Sequence, residues 1–195
     1  MEEFYQELLH PLFYRWISYQ DNVERCDDAF YIENGDIKGN IQFYEEGIVE
    51  ISAFDLKSQQ EKFYLHFEMH DMKTTLEQFK TFFEFLAHHT QEEKVYIIDS
   101  QTRRILLSCT GGLTTSYFAS AMQDILDKED IKIQVDAIAY SDIDSVAAKY
   151  DVILLAPQIA YKLNEMEQKY GSKVFVIGAY DFATKNFRKI LEKAL

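Results

Sequence analysis

The sequence predicts a two-module chain. An acidic α+β module with an antiparallel β-meander flanked by helices comes first. A neutral α/β domain follows, with a four-stranded parallel sheet covered by helices on both faces. Three observations carry this. The formal net charge over 195 residues is −13, yet residues 1–100 hold 8 Lys/Arg and 21 Asp/Glu while residues 101–195 hold 12 of each. The aromatic residues split 19 to 10 in the same sense. The hydrophobic period also changes: it is largely two in the first half, while short apolar runs alternate with helical patterns in the second. At 47% hydrophobic and 15% aromatic residues, the chain is built to bury a core.

The elements follow in order. Phe4, Leu8, Leu9, Leu12, Phe13, Trp16 and Ile17 recur at spacings of three and four, which is helical. Pro11 either kinks this helix or opens a second one. Phe30-Tyr31-Ile32 precedes Asn34-Gly35-Asp36, a hairpin signal. Ile37, Gly39, Ile41 and Phe43 then alternate with polar residues, as do Val49, Ile51 and Ala53, and again Phe63, Leu65, Phe67 and Met69. This predicts four antiparallel strands with one buried face. Thr74 or Thr75 caps a helix carrying Leu76, Phe79, Phe82, Phe83 and Leu86, expected to pack on the sheet. The module boundary is placed near residue 100, beyond a polar stretch interrupted by Val95-Tyr96-Ile97-Ile98, which could be a further strand.

In the second half, residues 104–108 read as a short buried strand and 115–128 as a helix with Phe118, Met122, Ile125 and Leu126 inward. Ile131, Ile133, Val135 and Ala137 alternate as a second strand, and 142–150 reads as a short helix. Val152-Ile153-Leu154-Leu155 is a third strand, and Pro157 opens a helix to Tyr170 with Gly171 as its C-cap. Residues 174–177 form the fourth strand, and a final helix spans 181–195. Strands separated by helices of this length imply right-handed crossovers.

Charge and composition exclude several functions. The acidic module repels phosphate backbones, so no nucleic-acid role is expected. No apolar run approaches the roughly 20 residues of a membrane span. The N-terminus is acidic and lacks a signal-peptide pattern. Cys26 and Cys109 lie in different halves, which fits reduced thiols in a cytoplasm better than a disulfide.

One segment concentrates chemistry: Cys109-Thr110-Gly111-Gly112-Leu113-Thr114-Thr115-Ser116, between the first strand and first helix of the second half. In an open parallel sheet this is the carboxyl edge, where ligands bind. Adjacent glycines let amides turn inward, and the helix N-terminus adds partial positive charge. Both favour a bound anion and the thiolate form of Cys109. A thiolate within a nest of amides is placed to attack phosphorus and hold the phosphate. No Lys-Ser/Thr follows the last glycine, so this is not a Walker A loop. A cysteine phosphatase needs an Arg six positions after its Cys, and that position is Thr115. Without that bidentate clamp, holding a phosphocysteine for onward transfer is favoured over hydrolysis.

With this loop the second half, residues 103–195, resembles enzyme IIB of the lactose/cellobiose (chitobiose) family of the bacterial phosphoenolpyruvate-dependent sugar phosphotransferase system. The family opens with a strand running into Cys-x-x-Gly-x-Ser/Thr-Ser/Thr-Ser, here Cys109, Gly112, Thr114, Thr115 and Ser116. A later Asp-Val-Ile-Leu-Leu-x-Pro-Gln-Ile-x-Tyr-x-Leu is matched by Asp151, Leu155, Pro157, Gln158, Ile159, Tyr161 and Leu163. The resemblance implies that Cys109 accepts phosphate from a histidine of an enzyme IIA and passes it to a sugar bound by a membrane enzyme IIC. The loop amides, including those of Gly111, Gly112 and Leu113, and the hydroxyls of Thr110, Thr114, Thr115 and Ser116 would hold it. Pro157, Gln158 and Tyr161 would neighbour the loop. No cofactor and no metal are expected. Two positions depart from the family: Gly178 stands where an Asp is common, and Ala183 where a glycine is.

Residues 1–100 carry no motif that assigns a function; their acidic charge is most simply a solvated surface, with a basic partner as the functional reading. This leaves a second function open, a regulatory or sensor protein that uses an enzyme IIB-like domain to read phosphorylation or bind an anion, with the acidic module contacting another protein. The remaining candidates have simpler explanations. Cys26 is a small residue or free surface thiol. His88 and His89 suit a helix C-terminus, and His66 and His70 are expected on the exposed side of a strand.

Overall fold

The computed structural model describes residues 2–87 and 102–194. The chain forms two compact units, Met1–Glu92 and Glu93–Leu195. His88, His89 and the run from Val95 through Ile98 lie outside the described residues.

In the first unit, helix α1 (Glu2–Ser18) leads into strands β1 (Val23–Cys26), β2 (Ala29–Asn34), β3 (Ile37–Phe43), β4 (Ile48–Asp55) and β5 (Glu61–Glu68), and helix α2 (Met72–Ala87) ends it. The strands pair antiparallel in chain order, so the meander has five strands instead of four. The additional strand β1 carries no alternation: Val23 is half-buried, and Glu24, Arg25 and Cys26 are exposed along a sheet edge.

Register accounts for the core. Phe30 pairs with Ile41, Ile41 with Ile51, and Ile51 with Leu65. All four are buried, because a period of two sends them to one face. Both helices cover that face. Phe79 of α2 contacts Phe13 of α1 as well as Phe43 and Phe67 of the sheet. At Gly39 the helix comes so close that a Cβ would lie 2.7 Å from Phe82 Cζ. Pro11 is exposed inside α1, and the helix runs through it unbroken. The cap of α2 is Asp71, whose Oδ1 accepts the Thr74 N–H at 2.9 Å; Thr75 is buried. Asn34 Nδ2 donates to Leu86 O at 2.7 Å and fixes the other end of that helix to the β2–β3 hairpin.

The second unit contains β6 (Arg104–Cys109), α3 (Leu113–Lys128), β7 (Gln134–Ala139), β8 (Val152–Leu155), α4 (Leu163–Tyr170), β9 (Val174–Val176), α5 (Ala179–Ala183) and α6 (Phe187–Ala194). The strands form a parallel sheet in the order β7-β6-β8-β9. All of β8 and most of β6 are buried, as strands covered on both faces require.

Three helical expectations change. Residues 142–150 form two 3₁₀ turns, Tyr140–Ser145 and Ala147–Lys149. There Ser145 Oγ donates to Asp142 O at 2.7 Å, a local bond that competes with the α-helix. The helix expected from Pro157 starts as a 3₁₀ turn, Pro157–Lys162, because Ile159 leaves helical geometry at φ −114°, ψ 21°. The terminal helix is divided into α5 and α6 by Lys185, at φ 57°, and Asn186 Oδ1 caps α6 by accepting the Lys189 N–H. The second strand starts at Gln134, leaving Ile133 buried just before it.

Candidate active site

Strand β6 lies between β7 and β8, so the connections on its two sides leave in opposite directions. That is the switch point at which open α/β sheets form a crevice. Cys109 is its last residue and is 5% exposed. Thr110 and Gly111 follow at the surface, and no atom lies within 4 Å of where a Gly111 Cβ would be. Gly112 adopts φ 76°, ψ −20°, and its Cβ would lie 3.1 Å from Ala139 N at the end of β7. Left-handed backbone and close approach together call for glycine here.

This bend directs the Gly112 N–H back to Cys109 Sγ at 3.1 Å. Thr115 is fully buried, with Oγ1 3.3 Å from the same sulfur and 3.1 Å from Gly112 O, to which it donates. Ser116 donates to Gly112 O twice, from Oγ at 2.8 Å and from its amide at 3.0 Å. Helix α3 starts at Leu113, and the N–H groups of a first helical turn have no intrahelical partner. The amides of Leu113, Thr114 and Thr115 therefore sit at the positive end of the helix dipole, next to the thiol loop.

The ladder continues past β8, with Ala156 N–H donating to Ser108 O at 2.8 Å. This brings the Pro157–Lys162 turn alongside β6. Pro157 is buried, Gln158 is half-buried with a buried Oε1 that accepts no hydrogen bond from the described residues, and Tyr161 is exposed. The turn after β7 is tied to this region by Glu165, which accepts from Tyr140 Oη at 3.0 Å and pairs with Lys162 at 3.2 Å. The Lys162 and Tyr140 hydrogen bonds hold the Glu165 carboxyl below its ordinary range, and burial and Glu165 raise Tyr140 above its own.

Residues 104–193 match the family model described as the lactose/cellobiose-specific IIB subunit of the phosphotransferase system. The galactose-specific EIIB component of Lactococcus lactis subsp. cremoris is 32% identical over 98 residues, which cover 46% of this chain and 91% of that protein. The chain belongs to the lactose/cellobiose-specific IIB family. The cellobiose-specific EIIB component of Lactococcus lactis subsp. lactis is also 32% identical over 98 residues, covering 46% of this chain and 91% of that protein. The solution structure of a cellobiose-specific IIB component from Borrelia burgdorferi aligns with a TM-score of 0.41 at 29% identity, covering 47% of this chain and 87% of that one.

Within this IIB unit Gly178 lies beside charged side chains of α5 and α6. A Cβ there would lie 3.3 Å from Lys193 Nζ and 3.4 Å from Asp181 Oδ2. Lys193 and Lys189 pair with the buried Asp181 at 2.9 and 3.5 Å. The contact of Thr115 with sulfur is what the residue pattern alone did not bring out. A signal for it existed, since position 115 belongs to the buried stripe of α3 that continues through Phe118, Ala119, Met122 and Leu126. In the first unit, Cys26 is an exposed free thiol. His66 stands in β5 at an exposed position, while His70 lies beyond that strand with Nε2 3.2 Å from Glu68. No helix among the described residues is long and apolar enough to cross a membrane.

Proposed function

We propose that the chain is a cytoplasmic phosphoryl carrier whose IIB-like domain, residues 101–195, works through a phosphocysteine at Cys109, and that residues 1–100 form a separate acidic module. The observation carrying this is the sulfur at the carboxyl end of the central strand, accepting the Gly112 N–H beside the first turn of α3. In the first transfer an N–P bond to a histidine of an enzyme IIA breaks as the S–P bond to Cys109 forms. In the second the S–P bond breaks and a sugar hydroxyl held by an enzyme IIC gains the phosphoryl group and releases its proton. The loop amides and the hydroxyls of Thr110, Thr114 and Ser116 surround the phosphoryl group, with Pro157, Gln158 and Tyr161 at its side. The galactose and cellobiose specificities of the Lactococcus relatives make a β-linked disaccharide or galactoside the first substrates to try.

The test is transfer from radiolabelled phosphoenolpyruvate through the general transferase proteins and a lactose/cellobiose-type enzyme IIA to the full chain. Label is expected on the wild type and absent from Cys109→Ser. Equal labelling of the two proteins would overturn the assignment. A regulatory role is favoured by one observation, the independently packed acidic unit. It predicts a protein partner whose binding to the full chain changes between phosphorylated and unphosphorylated Cys109. Brisk transfer to an enzyme IIC with no such partner would leave the carrier role alone.

A further inference from the structure

We infer that Thr115 is a catalytic residue of this site, a hydrogen-bond donor to the Cys109 sulfur whenever that sulfur carries no proton, rather than a ligand of the phosphoryl group. The inference rests on the carrier reading above and assigns a specific step to one of its residues. Three facts lead to it. Thr115 is fully buried, so its hydroxyl is turned away from the surface where a phosphoryl donor arrives. Its Oγ1 lies 3.3 Å from Cys109 Sγ, in a geometry where either atom could donate. The same Oγ1 lies 3.1 Å from Gly112 O, which also receives both the Ser116 hydroxyl and the Ser116 amide.

Proton accounting then fixes two states. A threonine hydroxyl has one proton to give and two lone pairs to receive. With a neutral thiol, S–H donates to Thr115 Oγ1, and Thr115 O–H donates to Gly112 O. When the sulfur is a thiolate, S–H is gone, and the Thr115 hydroxyl rotates to donate to sulfur. The Gly112 carbonyl loses nothing essential, because the Ser116 amide still donates to it when the Ser116 hydroxyl turns to the phosphoryl group. The sulfur then receives two hydrogen bonds, from Thr115 Oγ1 and Gly112 N–H. Bonds to a charged acceptor are the strong ones.

The consequence falls on the chemical steps. In the first transfer the stabilised thiolate attacks phosphorus. In the second the S–P bond breaks and its electron pair returns to sulfur, where the two donors stabilise the leaving thiolate. The phosphocysteine sulfur has no full negative charge, so the Thr115 bond strengthens as the bond to phosphorus breaks. An interaction that strengthens between bound state and transition state accelerates the reaction.

The experiment compares Thr115→Val, Thr115→Ala and Thr115→Ser in the full chain. Two readouts are used: the rate of Cys109 alkylation by iodoacetamide at one fixed pH, with Cys26→Ser in every background, and the kcat and KM of phosphotransfer. Alkylation and kcat are expected to fall about tenfold or more in Thr115→Val and Thr115→Ala, the scale of one hydrogen bond to a charged group. KM should stay within about twofold, as for an interaction made in the transition state. Thr115→Ser should restore most of both rates. Should Thr115→Val fail to fold, Thr115→Ala carries the same expectation. Wild-type alkylation and kcat in either hydroxyl-free variant would overturn the inference, as would equal loss in Thr115→Ser, which would mark a packing role. Transfer surviving in Cys109→Ser would instead overturn the carrier reading, while the alkylation series would still report on Thr115.

Discussion

The two units solve the packing problem in opposite ways. In the first, one sheet face is buried under two helices and aromatic rings fill the space: Phe79 alone contacts Phe13, Trp16, Phe43 and Phe67. In the second, small aliphatic strands are buried on both faces, and a stacked ring pair, Phe118 of α3 and Phe182 of α5 at 4.2 Å, lies between helices. The difference shows what each architecture leaves for chemistry. An antiparallel meander spends its turns on tight reversals such as Gly35, whereas a parallel sheet must leave every strand through a longer connection at one edge. The loop from Cys109 to Gly112 is such a connection.

The largest test of this comparison is Phe79→Ala. Emptying a fully buried ring site should cost about 3–5 kcal/mol. The single tryptophan, Trp16, packs on Phe79, so its fluorescence reports the first unit. The tryptophan transition should fall steeply in temperature while amide hydrogen exchange in β6 and β8, which follows the second unit, keeps its own midpoint. Both moving together would mean that the chain unfolds as one cooperative body. Gly39→Ala comes next. Its Cβ would press on the buried ring of Phe82 at 2.7 Å, and overpacking of this kind costs about 1–3 kcal/mol, again read by Trp16 alone.

Gly112→Ala sharpens the contrast from the other side. A left-handed residue with a Cβ costs about 1–2 kcal/mol, a modest loss in the midpoint read by amide exchange in β6 and β8. Because the Gly112 N–H points at Cys109 Sγ, phosphotransfer should fall far more than stability does. Unchanged transfer would show that the loop tolerates displacement.

The smallest effect is acid sensitivity. In the second unit Asp151 Oδ2 accepts the N–H groups of Arg103 at 2.8 Å and Arg104 at 2.9 Å, which hold its carboxyl below the ordinary range. In the first, the Ser58 amide and then that of Lys57 do the same to Asp55. A carboxyl depressed in the folded state contributes stability above its unfolded value, and that contribution is lost as pH falls through the folded one. Both midpoints should therefore drop below about pH 4. Asp151→Asn should flatten that decline for the second unit, read by amide exchange in β6 and β8, and leave the Trp16 transition unchanged, as followed by thermal melts between neutral and acidic pH.

Legibility in the sequence followed the same division. The buried strands announce themselves because period two and continuous apolar runs are direct images of one-sided and two-sided burial, as in β3 and β8. Strand β1 is invisible because an edge ribbon with three exposed residues has no such image. The 3₁₀ turns after β7 and β8 read as helices since apolar spacing cannot register that Ser145 or Ile159 leaves the α-helical path. At the site, Cys109, Gly112 and the flanking Pro157 are legible from residue type and spacing. The part played by Thr115 is not, because four neighbouring hydroxyls look alike until the helix phase decides which one turns inward.

The strand order has a consequence for how such a protein can diversify. Two of the segments around Cys109, Tyr140–Ser145 and Pro157–Lys162, each hang from the end of a strand whose ladder to β6 is already complete. Substitutions in the Tyr140–Ser145 turn can leave the register that holds the sulfur in place, whereas Pro157–Lys162 carries Pro157, Gln158 and Tyr161 of the family pattern. Under the carrier role proposed above, the Tyr140–Ser145 turn is the segment that can change with the partner while the backbone ladder holding Cys109 stays in place.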